Sequence, residues 1–341
     1  MKNLKDYTYD QLEQLVQEEL GEPKFRAKQI FTWLYRGVSC FDEMTDLSKS
    51  LREKLKEGYS LGNLTIAEKY SSSIDETCRY LLQLDDGNFI ESVLMKYHHG
   101  YTICISSQVG CAMGCAFCAS TRGGKVRNLS AGEIIGQVMT VQQDLGERIS
   151  NIVMMGIGEP LDNYENVMRF LETVNHPAGL CIGHRHISLS TCGLVPRMKE
   201  LADRNLQITL SVSLHAATDE KRSQIMPVNR RYPIHELLDA CRYYIEKTNR
   251  RISFEYTLIQ GVNDTPEEAE RLVKLLKGML CHVNLIPVNP VKETGFKQGS
   301  RQSIESFCKI LEGSGITATI RREMGADIRA ACGQLRAAKG K

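Results

Sequence analysis

Three cysteines fall within eight residues in Gly110-Cys111-Ala112-Met113-Gly114-Cys115-Ala116-Phe117-Cys118, spaced C-x3-C-x2-C. No other stretch constrains the chain so strongly. Thiolates this close, in a short loop of small residues, converge on one inorganic centre, and the glycines let the backbone curl around it. A structural zinc site closes with four ligands, often as two C-x2-C pairs. A [4Fe–4S] cube normally takes four thiolates. Three thiolates on a cube leave one iron open to a ligand that is not protein. The competing reading is a zinc loop with a distant fourth ligand, or three free buried thiols.

With 341 residues, 42% of them hydrophobic, the chain can bury a large core, as one domain with an appendage or as two domains. No apolar run reaches the roughly eighteen residues a membrane helix needs, so no membrane is expected. The opening Met1–Asp6 lacks the apolar centre of a signal peptide. The twelve cysteines do not look like a disulfide scaffold, and an oxygen-sensitive cluster needs a reducing compartment. A cytoplasmic location is expected. The net charge of +2 neither demands nor excludes RNA, because a local basic surface is enough.

Residues 1–60 read as a small helical domain, with ten Lys/Arg against eleven Asp/Glu. It is either an accessory domain with solvated faces or an RNA-docking domain that presents Lys24, Arg26, Lys28 and Arg36. Residues 61–100 alternate as strands, with the hairpin signal Asp85-Asp86-Gly87-Asn88. Glu91 lies within their apolar run Phe89–Met95. It either faces solvent or is a positioned base with a raised pKa.

From 101 to 315 strand and helix alternate. Strands are expected at Tyr101–Ile105, Asn151–Met155, His186–Ser190, Ile208–Leu214, Ile252–Leu258 and His282–Pro287. Helices are expected at Ala131–Leu145, Tyr164–Asn175, Val195–Asp203, Ile234–Thr248, Pro266–Leu276 and Ser300–Gly313. Ser130 with Glu133 forms a capping box. The fold class is α/β: a partial (β/α)6 TIM-like barrel with the small N-terminal helical domain and a linking β-hairpin region. Parallel βα folds place chemistry at the C-terminal strand ends, where the cysteine loop falls.

The same rim carries Gly156-Ile157-Gly158-Glu159-Pro160, Ser188-Leu189-Ser190-Thr191, Ser211-Val212-Ser213-Leu214-His215 and Val288-Asn289-Pro290. Each alone is a cap or a satisfied polar residue, but at successive strand ends together they read as a ligand pocket. His184 and His186 flank Arg185 and fit solvent or phosphate contact better than a metal pair. The tail, 316–341, holds a final strand at Thr317–Ile320, and six Lys/Arg against two Asp/Glu give it a net +4. That charge favours a phosphate-rich partner. Cys332 in the tail and Cys104 before the loop read, on spacing alone, as small buried hydrophobes.

The triple-cysteine loop resembles that of the radical S-adenosylmethionine (SAM) superfamily. Adding Cys104-Ile105-Ser106-Ser107-Gln108-Val109-Gly110-Cys111, Gly156–Leu161, Ser213-Leu214-His215, Met226-Pro227-Val228-Asn229, Gly261-Val262-Asn263-Asp264 and Ala331-Cys332-Gly333-Gln334-Leu335, nearly the whole chain resembles the RlmN-type RNA methyltransferases. The sister Cfr-type enzymes, which modify C8 of the same adenine, typically carry Glu-Ala where Glu159-Pro160 stands here. The resemblance implies a radical SAM barrel over 101–315 and a catalytic-cysteine tail. It implies one [4Fe–4S] cluster on Cys111, Cys115 and Cys118, and SAM bound by Gly158, Glu159, Ser190, Ser213, Leu214, His215 and Asn289. Cys332 would be the methyl-carrying cysteine, Cys104 its partner thiol and Glu91 the proton acceptor, which competes with Cys104 for the same step.

The implied reaction methylates C2 of an adenine in 23S rRNA, and of an adenine beside the anticodon in some tRNAs. C2 is electron-poor and cannot attack a sulfonium, whereas a thiolate can. Two SAM molecules per turnover would serve: one methylates Cys332, and the other gives the radical that activates the S-methyl group toward C2. A covalent protein–RNA adduct then resolves through Cys104. A reductase or other electron donor such as flavodoxin is implied, and a monomer is expected. The rivals are a radical SAM enzyme acting on a small molecule or peptide and a non-catalytic cluster or zinc RNA-binding protein.

Overall fold

In a computed structural model that describes residues 1–289, 291 and 294–336, ten strands of the described residues form one mixed sheet. They are β1 (Thr65–Ser71), β2 (Cys78–Gln83), β3 (Phe89–Tyr97), β4 (Gly100–Cys104), β5 (Ile149–Met154), β6 (Ile187–Thr191), β7 (Thr209–Ser213), β8 (Ile252–Leu258), β9 (Cys281–Pro287) and β10 (Ala318–Ile320). The spatial order follows the sequence. From β4 to β10 every pairing is parallel, whereas β1–β4 pair antiparallel.

The helices after β4 are α4 (Ala131–Leu145), α5 (Tyr164–Asn175), α6 (Val195–Asp203), α7 (Asp219–Ile225), α8 (Ile234–Thr248), α9 (Pro266–Leu276) and α10 (Arg301–Gly313), following α1 (Tyr9–Glu18), α2 (Phe25–Arg36) and α3 (Lys49–Gly58). Their apolar stripes explain why they lie on the sheet. In α5, Val167, Phe170, Leu171 and Val174 are fully buried at helical spacing. α4 starts at the Ser130–Glu133 capping box, in which Glu133 N donates to Ser130 Oγ at 3.2 Å and Ser130 N to Glu133 Oε2 at 2.9 Å. It stops at Gly146, whose φ of 72° is the left-handed cap that glycine favours.

Two features differ from the six-unit expectation. The last strand joins the barrel sheet as a seventh parallel strand, pairing Val283 with Ala318 and Leu285 with Ile320. The hairpin strands also extend the barrel, because β3 pairs with β4 through Val93 and Cys104. Between β7 and β8 lies α7, a seven-residue helix that periodicity does not reveal.

The N-terminal helices share one apolar core with the barrel, running from Leu4, Phe31 and Leu55 through Ile135 and Phe170 to Ala318. Tyr9, Phe31, Tyr35 and His176 stack between α1, α2 and the turn after α5. Asp6 Oδ1 accepts from Gly132 N at 2.8 Å, so the module also completes the first turn of α4. No described helix is long and apolar enough to cross a membrane.

Candidate active site

Each motif on the rim follows a strand. The cysteine loop comes after β4 and lies between two short paired strands, Gln108–Gly110 and Lys125–Asn128. Gly158 and Glu159 follow β5, Thr191 and Cys192 end β6, Ser213 and His215 end β7, and Asn289 follows β9. These ends enclose a cavity of about 160 Å³ lined by Cys111, Cys115, Cys118, Gly158, Glu159, Ser190, Ser213, His215, Asn289 and Cys332. Leu214, Cys104 and Glu91 are not on its wall. The Leu214 side chain is fully buried beneath the rim.

Gly158 has a φ of +105°, and a Cβ there would lie 2.6 Å from Gln108 Cβ, so only glycine fits. Glu159 is 4% exposed; its Oε1 accepts from Leu161 N at 3.0 Å and its Oε2 from Cys192 N at 2.8 Å. Burial raises its pKa, and those amides oppose the rise. A buried carboxylate at a cavity wall suits an ammonium partner. His215 has a φ of 56° and its Nδ1 accepts from Thr257 N at 2.9 Å, which leaves Nε2 as the proton-bearing nitrogen. Burial, then the charge of Arg222, pushes its pKa down to about 3, so the ring is neutral. Its edge meets the Phe117 ring, with centroids 4.9 Å apart.

The tail folds back across the cavity mouth. Gly333 O accepts from Ala119 N at 2.7 Å, Leu335 O from Ser120 Oγ at 2.8 Å, and Cys332 O from Asn289 Nδ2 at 3.0 Å. Asn289 therefore holds the Cys332 backbone as well as lining the cavity. Outside lies a second cavity of about 240 Å³, and Cys332, Asn289, Ile286 and Arg321 belong to both walls. Cys104 lies under this wall in a small apolar cluster with Val93, Met95, Ile157, Ala330 and Leu335. Burial pushes its thiol up to about 12; the nearby Cys332 thiol adds to this and Arg321 opposes it. Both cysteines are free thiols.

Of the two readings of Glu91, the solvent-facing one does not hold. Its side chain is 4% exposed, so it does not face solvent. It is an ion-paired anchor: Arg79 Nη1 is 3.0 Å from Oε1, and Arg336 N donates to Oε2 at 2.6 Å. Pro290 of the rim and 337–341 of the tail lie outside the described residues.

The radical SAM superfamily model matches residues 105–276, and a ribosomal RNA large subunit methyltransferase N-terminal domain matches 2–61. A protein of Clostridium beijerinckii named a probable dual-specificity RNA methyltransferase RlmN is 59% identical over 336 residues, covering 98% of this chain and 95% of its own. One of the same name from Alkaliphilus oremlandii is also 59% identical, covering 98% and 97%. The chain belongs to the RlmN-type family of radical SAM methyltransferases. A crystal structure of a radical SAM methyltransferase from Sphaerobacter thermophilus superposes with a TM-score of 0.95 at 46% identity, over 99% of this chain and 100% of that one.

The superfamily implies a [4Fe–4S] cluster and SAM, and the donor set fits both. All three loop cysteines open onto one cavity beside the Glu159 carboxylate. As bare thiols they are badly placed to ionise: burial pushes Cys111 up to about 11 and raises Cys115 and Cys118. Iron ligation supplies the positive charge that such thiolates need.

Several wall residues of this RlmN-type site escaped the sequence reading. Cys192, Glu255, Thr257 and Arg321 all face the cavity. Glu255, a carboxylate within the apolar strand Ile252–Leu258, carried the same signal as Glu91. Cys192 follows the rim serine motif directly but has no partner cysteine in sequence to mark it. A larger cavity of about 700 Å³ between the N-terminal module and α4 is polar, of mixed charge and without thiols, and lies away from this chemistry.

Proposed function

We propose that this methyltransferase acts on RNA, methylating C2 of an adenine in 23S ribosomal RNA and of an adenine beside the anticodon in some transfer RNAs, with Cys332 as methyl carrier. The observation that carries the reading is the place of Cys332, on the wall shared by the inner cavity of the loop cysteines and an outer cavity. A methyl group on its sulfur can be reached from one side by a cofactor and from the other by a substrate base. The printed names of the relatives and the match of the N-terminal domain support RNA as that substrate.

Cys111, Cys115 and Cys118 would hold the cluster, which would supply the one-electron reduction that turns SAM into a hydrogen-abstracting radical. The chain does the rest. Glu159, Ser190, Ser213, His215 and Asn289 orient SAM, with Leu214 and Gly158 shaping the backbone around it. The Cys332 thiolate first attacks the methyl carbon of one SAM, breaking its bond to the sulfonium sulfur and releasing S-adenosylhomocysteine. After a hydrogen atom is taken from that methyl, its carbon bonds to adenine C2. The adduct then loses the C2 proton and its unpaired electron, which the oxidised cluster would take back; attack of the Cys104 thiolate on the Cys332 sulfur breaks the sulfur–carbon bond, and a proton on the released carbon completes the methyl group. A Cys104–Cys332 disulfide remains, and two electrons reopen it.

The electrostatic coupling of the Cys104 and Cys332 thiols supports Cys104 as the resolving group. The proton-accepting role implied for Glu91 would require its release from Arg79 and the Arg336 amide. A one-electron donor such as flavodoxin would serve a monomer working in the cytoplasm. Mass mapping of RNA treated with the reduced enzyme and SAM tests the reading. Methylation at adenine C2 is expected; methylation at C8 would assign the Cfr-type reaction. Unmodified RNA alongside active SAM cleavage would contradict RNA as the substrate.

A further inference from the structure

Met226-Pro227-Val228-Asn229 and the helix α7 before it take no part in the chemistry above. They surround Arg222, whose side chain is fully buried. Its guanidinium meets only neutral oxygens. Nε donates to Leu214 O at 3.1 Å, Nη2 to Cys192 O at 2.8 Å and to Ser213 O at 3.0 Å, and Nη1 to Asn229 Oδ1 at 2.9 Å. Among the described residues no carboxylate forms an ion pair with it. The Asp219 carboxylate reaches it only through Asn229, whose Nδ2 donates to Asp219 Oδ1 at 2.9 Å. A buried cation with no directly paired carboxylate is costly, and a chain that keeps one invites a reason for its charge.

The same segment clamps the cysteine loop. Ile225 O accepts from Ala116 N at 2.9 Å, and a Cβ on Gly114 would meet Pro227 Cγ at 3.4 Å. Ile225 and Met226 pack with Met113, Cys115 and Phe117. Arg222 thus ties together the ends of β6 and β7 on one side, while its own helix ends against the cluster loop on the other. The groups that feel its charge most are the Cys192 and Cys115 thiols.

We propose that Arg222 is a positioning residue that joins the β6 and β7 ends to the cluster loop, and that its buried charge behind Cys115 raises the reduction potential of the cluster. Adding one electron makes a cluster more negative, so a fixed nearby cation favours the reduced state; net charge and hydrogen bonding are recognised controls of such potentials. The proposal rests on reading Cys111, Cys115 and Cys118 as the ligands of a four-iron cluster.

The test is an anaerobic redox titration of the reconstituted enzyme, read by electron paramagnetic resonance, for wild type, Arg222→Gln and Arg222→Lys. At the wild-type midpoint, Arg222→Gln should lower the reduced-to-oxidised ratio at least threefold, and Arg222→Lys, which keeps the charge but not the fork, should stay within threefold of wild type. A ratio unchanged within threefold in Arg222→Gln, or an equal fall in both variants, would overturn the proposal. Should Arg222→Gln be insoluble, Asn229→Asp sets a carboxylate against the same guanidinium and carries the same expectation. Iron content separates the two levels: wild type without four irons per chain defeats the ligand reading and the proposal together. A full cluster with an unchanged ratio defeats the proposal alone.

Discussion

Two cysteines at the site have different surroundings. Cys332 sits between two cavities, and Cys104 is buried under the wall with its thiol pushed up to about 12. Cys104 is therefore protonated at neutral pH in the resting enzyme, which fits the late, resolving role proposed for it. Cys332→Ala should abolish methyl transfer while four irons and SAM cleavage remain, checked by iron analysis and 5′-deoxyadenosine release. Cys104→Ala should accumulate a covalent protein–RNA adduct, seen as a mass shift on denaturing gels; free methylated RNA at the wild-type rate would count against its role.

His215 gives a pH signature. Its ring is held neutral with a pKa of about 3, against 6.5 when exposed. Between these values the unfolded chain binds a proton that the native chain does not, so stability falls as pH drops from 6.5 toward 3. The slope from this one group is about 1.4 kcal/mol per pH unit. Urea melts of the apo protein at several pH values should show a shallower acid limb in His215→Gln than in wild type.

At the scale of elements, the hairpin strands act as the anchor of the tail. Asp327 Oδ1 accepts from Ser72 Oγ at 2.7 Å, and its Oδ2 from Ser73 N at 2.8 Å. Asp75 Oδ2 accepts from Gly325 N at 3.0 Å. With Glu91 holding the Arg336 amide, β1–β3 grip the segment on both sides of Cys332. Asp327→Ala loosens that grip by about 1 kcal/mol, the net worth of a typical hydrogen bond. That predicts a fall of about fivefold in kcat/KM with cluster content unchanged, measured by methylation kinetics beside iron analysis.

The alternating elements were legible because buried parallel strands and amphipathic helices write their periods plainly; α5, α6, α8 and α9 begin and end where their apolar stripes do. α7 was not legible. Its sequence, Asp219-Glu220-Lys221-Arg222-Ser223-Gln224-Ile225, reads as a solvated surface, and only the tertiary carbonyls around Arg222 draw that charged side chain inside beside Ile225. The cluster loop and rim were legible as motifs. The folding of the tail over the cavity was not, because it depends on hydrogen bonds between residues more than 200 positions apart, such as Ser120 to Leu335.

At the scale of the molecule, the N-terminal module is built into the barrel. Phe31 is 1% exposed within the core that runs from Leu4 to Ala318. Phe31→Ala should cost about 3–5 kcal/mol. Because the core is shared, thermal unfolding should remain one transition at a lower temperature; a separate early transition of the module alone would show that it folds apart. The whole arrangement places the helical module on one side, the cavity of the loop cysteines at the strand ends, and a tail that sets the Cys332 sulfur between two cavities.

The most direct test of that arrangement follows the methyl group itself. Enzyme is first incubated with SAM carrying a labelled methyl, and the label on the Cys332 peptide is verified by mass spectrometry. Free SAM is then removed, and reduced enzyme is given RNA and unlabelled SAM for a single turnover. Transfer through Cys332 predicts labelled methyl at adenine C2 and loss of label from the peptide. RNA carrying only unlabelled methyl, with the label still on Cys332, would contradict it.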